Sequence, residues 1–199
     1  MNAYAIVAEF ECRVAEFAGA KHAVATDCCS NAIFLCCKFL NVQEVKLPAR
    51  TYISVPAAVI HAGGTVRFIE YIWQGVYDLS PYPIVDGAKR FRRGMYKGGL
   101  HCLSFHAKKH VPIGRGGMVL TDDERAANWL RKARYDGRAG KPYAEEMIDM
   151  LGWHAYMTPE QAARGLALLD VLPSDNLPDL TEDYPDLRRM PVFAKQAAA

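Results

Sequence analysis

Hydrophobic residues along the chain alternate between helical and strand spacing. Phe10, Val14 and Phe17 recur at helical intervals, which predicts a helix over residues 5–18 that Gly19 ends. A short apolar run at 22–25 predicts a strand, and a second helical pattern follows a turn of small side chains. Further apolar runs predict strands at residues 45–47, 65–69, 82–85, 100–105 and 117–120, and helices over 55–61 and after Asp122. This alternation predicts an open, mostly parallel α/β sheet.

The last third of the chain has one clear helix signal. Thr158 and Gln161 form a capping-box pattern with Pro159 between them, which predicts a helix that runs to about residue 169. From residue 172 prolines and aspartates accumulate, and they predict an irregular stretch on the surface. We therefore expect an α/β domain over residues 1–171 and a short irregular tail over 172–199.

The composition gives no support to several classes of protein. A net charge of +2 gives no electrostatic reason to expect nucleic acid or membrane binding, and the basic run at 89–93 fits a solvated face. No apolar run approaches the ~20 residues of a membrane span, and no basic stretch followed by an apolar one opens the chain. The six cysteines include two adjacent pairs and no C-x-x-C, so we expect no metal site, reduced thiols and a cytoplasmic location.

Three polar features follow predicted strands, where ligands gather in an open parallel sheet. They are the turn at residues 28–30, Asp86, and the stretch from Ser104 to Lys109. Each also has a structural interpretation. Ser30 could serve only as a helix cap, Asp86 only as a turn residue, and Lys109 only as a surface lysine like its neighbour Lys108. Taken one at a time, these residues leave both interpretations open.

The order of the motifs is more specific than any one of them. It resembles the DegT/DnrJ/EryC1/StrS family, the sugar aminotransferases among the pyridoxal-phosphate (PLP) enzymes, over about residues 10–169. The segments that carry the resemblance are C-C-S-N-A at 28–32, P-A-R-T-Y at 48–52, D-G-A-K at 86–89, S-F-H-A-K-K-H at 104–110, G-R-G-G at 114–117, T-D-D at 121–123, and the stretch from Gly152 to Ala163. The resemblance implies the large domain of an aspartate-aminotransferase-like (fold type I) enzyme that uses PLP.

The resemblance also assigns roles. In the family pattern the lysine that forms the Schiff base is the fifth residue after the serine of S-F-H, which is Lys109, and Lys108 occupies a variable position. Asp86 would pair with the pyridine nitrogen. Tyr52 would stack on the ring, and Lys89 takes the place of the His or Gln expected near the phenolic oxygen.

The remaining implied roles concern the phosphate. Ser30, Ser104 and the backbone around Cys29 would hold it, with Asn31 on the same turn also counted as cofactor-binding. Family members are usually dimers with shared sites, so the resemblance implies a homodimer in which His154 could donate to the phosphate across the interface. The implied reaction transfers an amino group from an amino-acid donor to a keto or aldehyde acceptor, either a small molecule or a nucleotide-linked sugar.

Departures from the family pattern keep two alternatives open. Cys28 and Cys29 replace the usual Ser-Gly, Arg115 replaces a glutamate, and the resemblance stops where family members continue into a C-terminal domain. Together with the extra cation Lys89, these departures suggest a PLP-dependent decarboxylase or other α-carbon chemistry on an amino acid or an aminoacyl-modified nucleotide. The other alternative is a degenerate, non-catalytic member of the family.

Overall fold

The computed structural model describes residues 4–179 and 184–194. The helices are α1 (Ala5–Ala18), α2 (Cys29–Phe39), α3 (Ser54–His61), α4 (Glu124–Ala133), α5 (Pro159–Asp170) and α6 (Pro191–Ala194), with 3-10 turns at Tyr143–Glu145 and Leu187–Arg189. The strands are β1 (His22–Thr26), β2 (Glu44–Pro48), β3 (Thr65–Ile69), β4 (Tyr77–Asp78), β5 (Ile84–Asp86), β6 (Leu100–Ser104) and β7 (Gly117–Thr121). Residues 1–3 of the predicted domain, and 180–183 and 195–199 of the predicted tail, lie outside the described residues.

The α/β class is confirmed, but the expected mostly parallel direction of the sheet is wrong. Five strands form one sheet in the order β1-β7-β6-β5-β4, and β2 and β3 pair separately. Only β2/β3 and β5/β6 are parallel, whereas β1/β7, β6/β7 and β4/β5 are antiparallel. A parallel neighbour needs a crossover of about a dozen residues or more, and the tight connection from β4 to β5 is far too short for one.

The sheet of five strands is buried on both faces. In β1 and β7, alternate residues face opposite hydrophobic clusters. Val24 and Val119 pack towards α2, α3 and α4, whereas Ala25, Met118 and Leu120 pack towards α1 and α5. All five residues of β7 are buried. Double-sided burial explains why these strands appear in the sequence as continuous apolar runs instead of alternating ones.

The predicted helix boundaries hold with one correction. Gly19 ends α1 in the left-handed conformation, and the capping box with Gln161 starts α5. The cap of α4 is Asp123, whose side chain accepts from Ala126 N over 3.1 Å, and not the predicted Asp122. Asp122 instead accepts from the backbone N–H of Lys21 over 2.8 Å, so its carboxylate is used at the end of the β1/β7 pair.

The segment after α5 packs against the rest of the chain. Leu187 and Phe193 are buried, and the Phe193 ring lies 5.1 Å from that of Phe68. The backbone N–H of Leu187 donates to the carbonyl of Ala49 over 2.9 Å. The division into a domain over 1–171 and a tail over 172–199 remains a proposal, and the described part of that tail includes a 3-10 turn and a short helix.

The described residues include neither a membrane-spanning helix nor a cluster of metal ligands. None of the helices there is long and apolar enough to cross a membrane. Within the same part of the chain, no group of three or more His, Cys, Asp or Glu side chains is placed to hold a metal ion.

One buried histidine makes the stability of the fold depend on pH. His101 of β6 is 4% exposed, and its Nε2 has no hydrogen-bond partner among the described residues. Burial lowers the pKa of this imidazole from 6.5 to about 4, because the charged form cannot be solvated. In the unfolded chain the same group takes up a proton as the pH falls below 6.5. The contribution of the neutral imidazole to the unfolding free energy is therefore complete above pH 6.5. It is lost progressively as the pH falls to about 4.

We expect the wild type to lose about 2 kcal/mol more unfolding free energy than His101→Gln between about pH 7 and about pH 4.5. Glutamine cannot titrate, so the pH dependence of the difference isolates the imidazole. Urea denaturation of both proteins at several pH values measures it. A difference that stays constant with pH would show that His101 does not carry this effect.

Candidate active site

A cavity of about 380 Å³ opens where β5, β6 and the start of α2 come together. Asp86 ends β5, Ser104 ends β6, and Cys29 and Ser30 begin α2, which follows β1. All four of these residues line the cavity. The strand ends thus bring together three polar features that are far apart in the sequence, and the volume suits a small cofactor.

Asp86 is the most constrained group of the cavity. It is 6% exposed, and burial raises the pKa of its carboxyl group. A hydrogen bond from Ala88 N (2.9 Å), another from the Tyr77 hydroxyl, and the charges of Lys109 and Lys89 act in the opposite direction. The carboxylate therefore lies in a nearly dry environment that favours a cationic partner.

The two adjacent lysines differ in their surroundings. The Lys109 side chain is 10% exposed, its charge acts on Asp86, and its Nζ lies 3.5 Å from Oδ2 of Asp179. Lys108 is an exposed residue at the rim of the cavity, beside Tyr52. The structure thus places Lys109 as the inner amine of the pair.

The beginning of α2 supplies an anion-binding end to the cavity. Cys28 precedes the helix in an extended conformation, and the Ser30 hydroxyl contacts the Ser54 hydroxyl at 2.6 Å. Burial raises the pKa of the Cys28 and Cys29 thiols, so both are neutral groups beside the backbone N–H groups of the first turn. Helix N-termini of this kind favour phosphate or carboxylate groups.

Gly117 lets β7 approach this turn closely. A Cβ atom on it would lie 2.4 Å from the carbonyl carbon of Cys28 and 2.5 Å from the nitrogen of Cys29. Any side chain would therefore displace the start of α2. This glycine of the G-R-G-G segment has a packing role at the anion-binding end of the cavity.

Aromatic side chains form another wall. Tyr52 is 57% exposed and lines the cavity together with Trp73 and Tyr184. The Trp73 and Tyr184 rings stack with centroids 6.0 Å apart, and Nζ of Lys89 lies 4.7 Å from the centre of the Tyr184 ring. The ammonium group of Lys89 is thus held against aromatic faces as well as near Asp86.

The structure brings together most, but not all, of the predicted site residues. The cavity is lined by Cys29, Ser30, Tyr52, Asp86, Lys89, Ser104 and Lys109. Asn31 does not line it, since its amide donates to Asp27 Oδ1 over 2.7 Å, one helical turn back. His154 also lies elsewhere, exposed, with Nδ1 2.9 Å from Asp136 Oδ2. The cofactor roles assigned to these nine residues stay predictions.

Sequence reasoning missed several residues that line the cavity or contact its lining groups. Tyr77 hydrogen-bonds to Asp86 and, over 2.6 Å, to the Thr51 hydroxyl, while Trp73, Asp179 and Tyr184 come from segments predicted as loop or tail. No local motif marks these positions, because only the folded chain brings them to β5. No motif marks the close contact between Gly87 and His101 either. A Cβ at Gly87 would lie 2.2 Å from Nε2 of His101.

Comparison with known proteins agrees with this geometry. The model of the DegT/DnrJ/EryC1/StrS aminotransferase family matches residues 1–80 and 92–176. The chain belongs to the DegT/DnrJ/EryC1/StrS family. The resemblance inferred from the motifs is thereby confirmed, and aminotransferases of this family use PLP.

Individual relatives share this fold over most of the chain. GDP-perosamine synthase of Caulobacter vibrioides is 26% identical, over 82% of this chain and 56% of that protein. Among solved structures, DesV of S. venezuelae has a TM-score of 0.72 at 22% identity. The match covers 84% of this chain and 57% of DesV. DesI, crystallised with its TDP-sugar product, has a TM-score of 0.69 at 25% identity. The match covers 85% of this chain and 53% of DesI. The chain spans about half the length of the curated relatives it matches.

Arg115, which departs from the family pattern, has a local role. Its guanidinium lies 2.5 Å from Asp27 Oδ2, and the other oxygen of Asp27 accepts from Asn31. The Arg115 side chain is 65% exposed, whereas that of Asp27 is 17% exposed. Asp27 therefore ties the G-R-G-G segment to the first turn of α2.

We expect Arg115→Ala to lower the unfolding free energy by less than about 1 kcal/mol, because the ion pair is largely solvated on the arginine side. Asp27→Ala should cost about 1–3 kcal/mol, because it leaves both Arg115 and Asn31 without their acceptor. Denaturant titrations of the two variants give the comparison. Equal losses would contradict the bridging role assigned to Asp27.

Proposed function

We propose that this protein is a PLP-dependent aminotransferase that moves an amino group from an amino-acid donor to a keto or aldehyde acceptor. The observation that carries the proposal is the common cavity of Lys109 and Asp86, into which the N-terminus of α2 also opens. An amine, a buried carboxylate and an anion-binding helix end are three groups that PLP requires. Membership of the family supports the same conclusion.

The residues present fit the cofactor. Lys109 would hold it covalently, and the Asp86 carboxylate would keep a proton on the ring nitrogen, because a charged ring would form an ion pair with a buried carboxylate. Ser30, Ser104 and the backbone at Cys29 would bind the phosphate. Bound PLP supplies an electron sink for the electron pair released at the substrate α-carbon.

The chain's own groups would then do the proton chemistry. The Lys109 amine would act as the acid–base group that removes and returns the proton at the substrate α-carbon. Tyr52, exposed at the mouth of the cavity, would cover one face of the ring and limit the entry of water. The Asp86 carboxyl group would be held in place by its hydrogen bonds from Ala88 N and the Tyr77 hydroxyl.

For the acceptor, we favour a nucleotide-linked sugar. Two relatives support this choice: one is named a GDP-perosamine synthase, and DesI was crystallised with a TDP-sugar. We also propose a cytoplasmic homodimer. The six free cysteines fit a reducing compartment, and the exposed His154 lies where a second copy could use it.

Purified protein mixed with PLP should develop the visible absorbance of a lysine-bound cofactor. Lys109→Ala should abolish that absorbance, because no other amine replaces the covalent bond at this point of the cavity. Lys108→Ala, which removes the adjacent exposed amine, is the matched control and should keep it. An unchanged spectrum in Lys109→Ala would overturn the assignment of the lysine.

Reaction with candidate amino donors such as glutamate or glutamine tests the type of reaction. We expect the PLP-loaded protein to accumulate pyridoxamine phosphate and release the corresponding keto acid, measured by chromatography. Release of carbon dioxide without pyridoxamine phosphate would instead indicate a decarboxylase and contradict transamination. Lys109→Ala, mixed with the same donor, is the control for reactions in free solution.

A further inference from the structure

The stretch of residues 174–179, which we name the return segment, runs along the loop that follows β5. Its backbone is held at both ends, because Arg93 N donates to the carbonyl of Ser174 over 3.0 Å and Asp179 N donates to the carbonyl of Lys89 over 2.9 Å. Between them, the amide of Asn176 donates to the carbonyl of Phe91 over 2.6 Å. The return segment is therefore fixed along its length to the loop that follows β5, and Lys89 of that loop lines the cavity.

Side chains add to this attachment from two directions. Arg90 donates to Asn176 Oδ1 over 2.7 Å and lies 3.3 Å from the Asp175 carboxylate. On the opposite side, Nε2 of His110 contacts the carbonyl of Leu177 at 2.9 Å. Two loops that both border the cavity thus set the position of the residue at the end of the segment, Asp179.

Asp179 reaches the inner lysine. Its Oδ2 lies 3.5 Å from Nζ of Lys109, and the two side chains are only 12% and 10% exposed. Opposite charges attract more strongly when little water separates or surrounds them. On its other side Lys109 faces the buried Asp86, so its ammonium group is held among carboxylates.

This contact opposes the first step that the proposed function requires. To bind PLP covalently, the lysine amine must lose a proton to solvent and add to the aldehyde carbon. A carbon–nitrogen double bond then forms as water leaves. While the ion pair lasts, Nζ of Lys109 is engaged with the Asp179 carboxylate and is not free to approach the aldehyde carbon. The Lys109–Asp179 contact therefore has to break before the lysine can react.

We propose that Asp179 restrains Lys109, holding it as an ion-paired ammonium until the cofactor displaces the carboxylate. This inference rests on the proposed function, since it concerns the same lysine. It adds a regulatory residue from outside the sequence motifs of the family. The return segment would set how readily the protein captures its cofactor, although the segment itself contributes none of the predicted cofactor-binding groups.

Chemical labelling of the cofactor-free protein tests the restraint without relying on PLP. A small acetylating ester modifies neutral amines, and tandem mass spectrometry of proteolytic peptides reports the acetylation rate of each lysine. We expect Asp179→Asn to raise the rate at Lys109 by about tenfold, in line with the loss of a neighbouring opposite charge where little water surrounds the pair. Lys108, which is exposed and adjacent, is the internal reference and should keep its rate.

Two further variants control for indirect effects. Asp175→Asn removes the same charge from the same segment at a site 77% exposed, and it should leave Lys109 unchanged. Asp179→Glu keeps the carboxylate and should retain slow labelling. If Asp179→Asn disturbs the fold, Lys108 and other lysines will also react faster and Asp179→Glu will not restore the difference. That pattern, or equal rates at Lys109 in wild type and Asp179→Asn, overturns the inference.

Cofactor capture separates this inference from the proposed function. With PLP added, the visible absorbance should appear about tenfold faster in Asp179→Asn than in the wild type. Faster labelling of Lys109 with no absorbance in any variant would support the restraint and contradict the function. Normal absorbance, with labelling and capture rates that are identical in the wild type and Asp179→Asn, would support the proposed function and contradict the restraint.

Discussion

A carboxylate buried at the end of β5 is the constraint on which the site depends. Removing a charge from water costs several kcal/mol unless donors and cations surround it, and Asp86 is 6% exposed. The backbone at Ala88, the Tyr77 hydroxyl and the charges of Lys89 and Lys109 provide that environment. The structure thus keeps an ionisable group where a hydrophobic residue would pack more cheaply, and catalysis by a cofactor with a basic ring nitrogen gives a reason for it.

Close backbone contacts form the other half of the site. Gly117 allows β7 to lie against the turn at Cys28 and Cys29, so that the N-terminus of α2 points into the cavity. Gly87 makes room for the ring of His101 directly behind Asp86. In each case a small residue lets a neighbour approach a functional group more closely than a side chain would permit.

Much of the fold follows from local patterns. The helices around Phe10 and Leu130 and the strands β1, β6 and β7 are predicted because a two-sided core demands apolar residues at fixed spacings. Strand direction is not predictable in this way, since the pairing partner of a strand depends on how its connections cross the sheet. The short strand β4 and the replacement of Asp122 by Asp123 as helix cap were missed for the same reason, because distant contacts decide both.

The candidate site was also predictable from the sequence only in part. The order of motifs, with Lys109 five residues after Ser104, identified the family and the cofactor, because covalent chemistry and phosphate binding require particular residue types at particular spacings. Only the tertiary structure decided which groups surround that lysine. Asp179 reaches it from a segment without any motif, because ion pairs and ring contacts depend on distance in space. The sequence by itself therefore determined the class of protein and singled out Lys109 as the candidate reactive amine, whereas the fold determined how that amine is held.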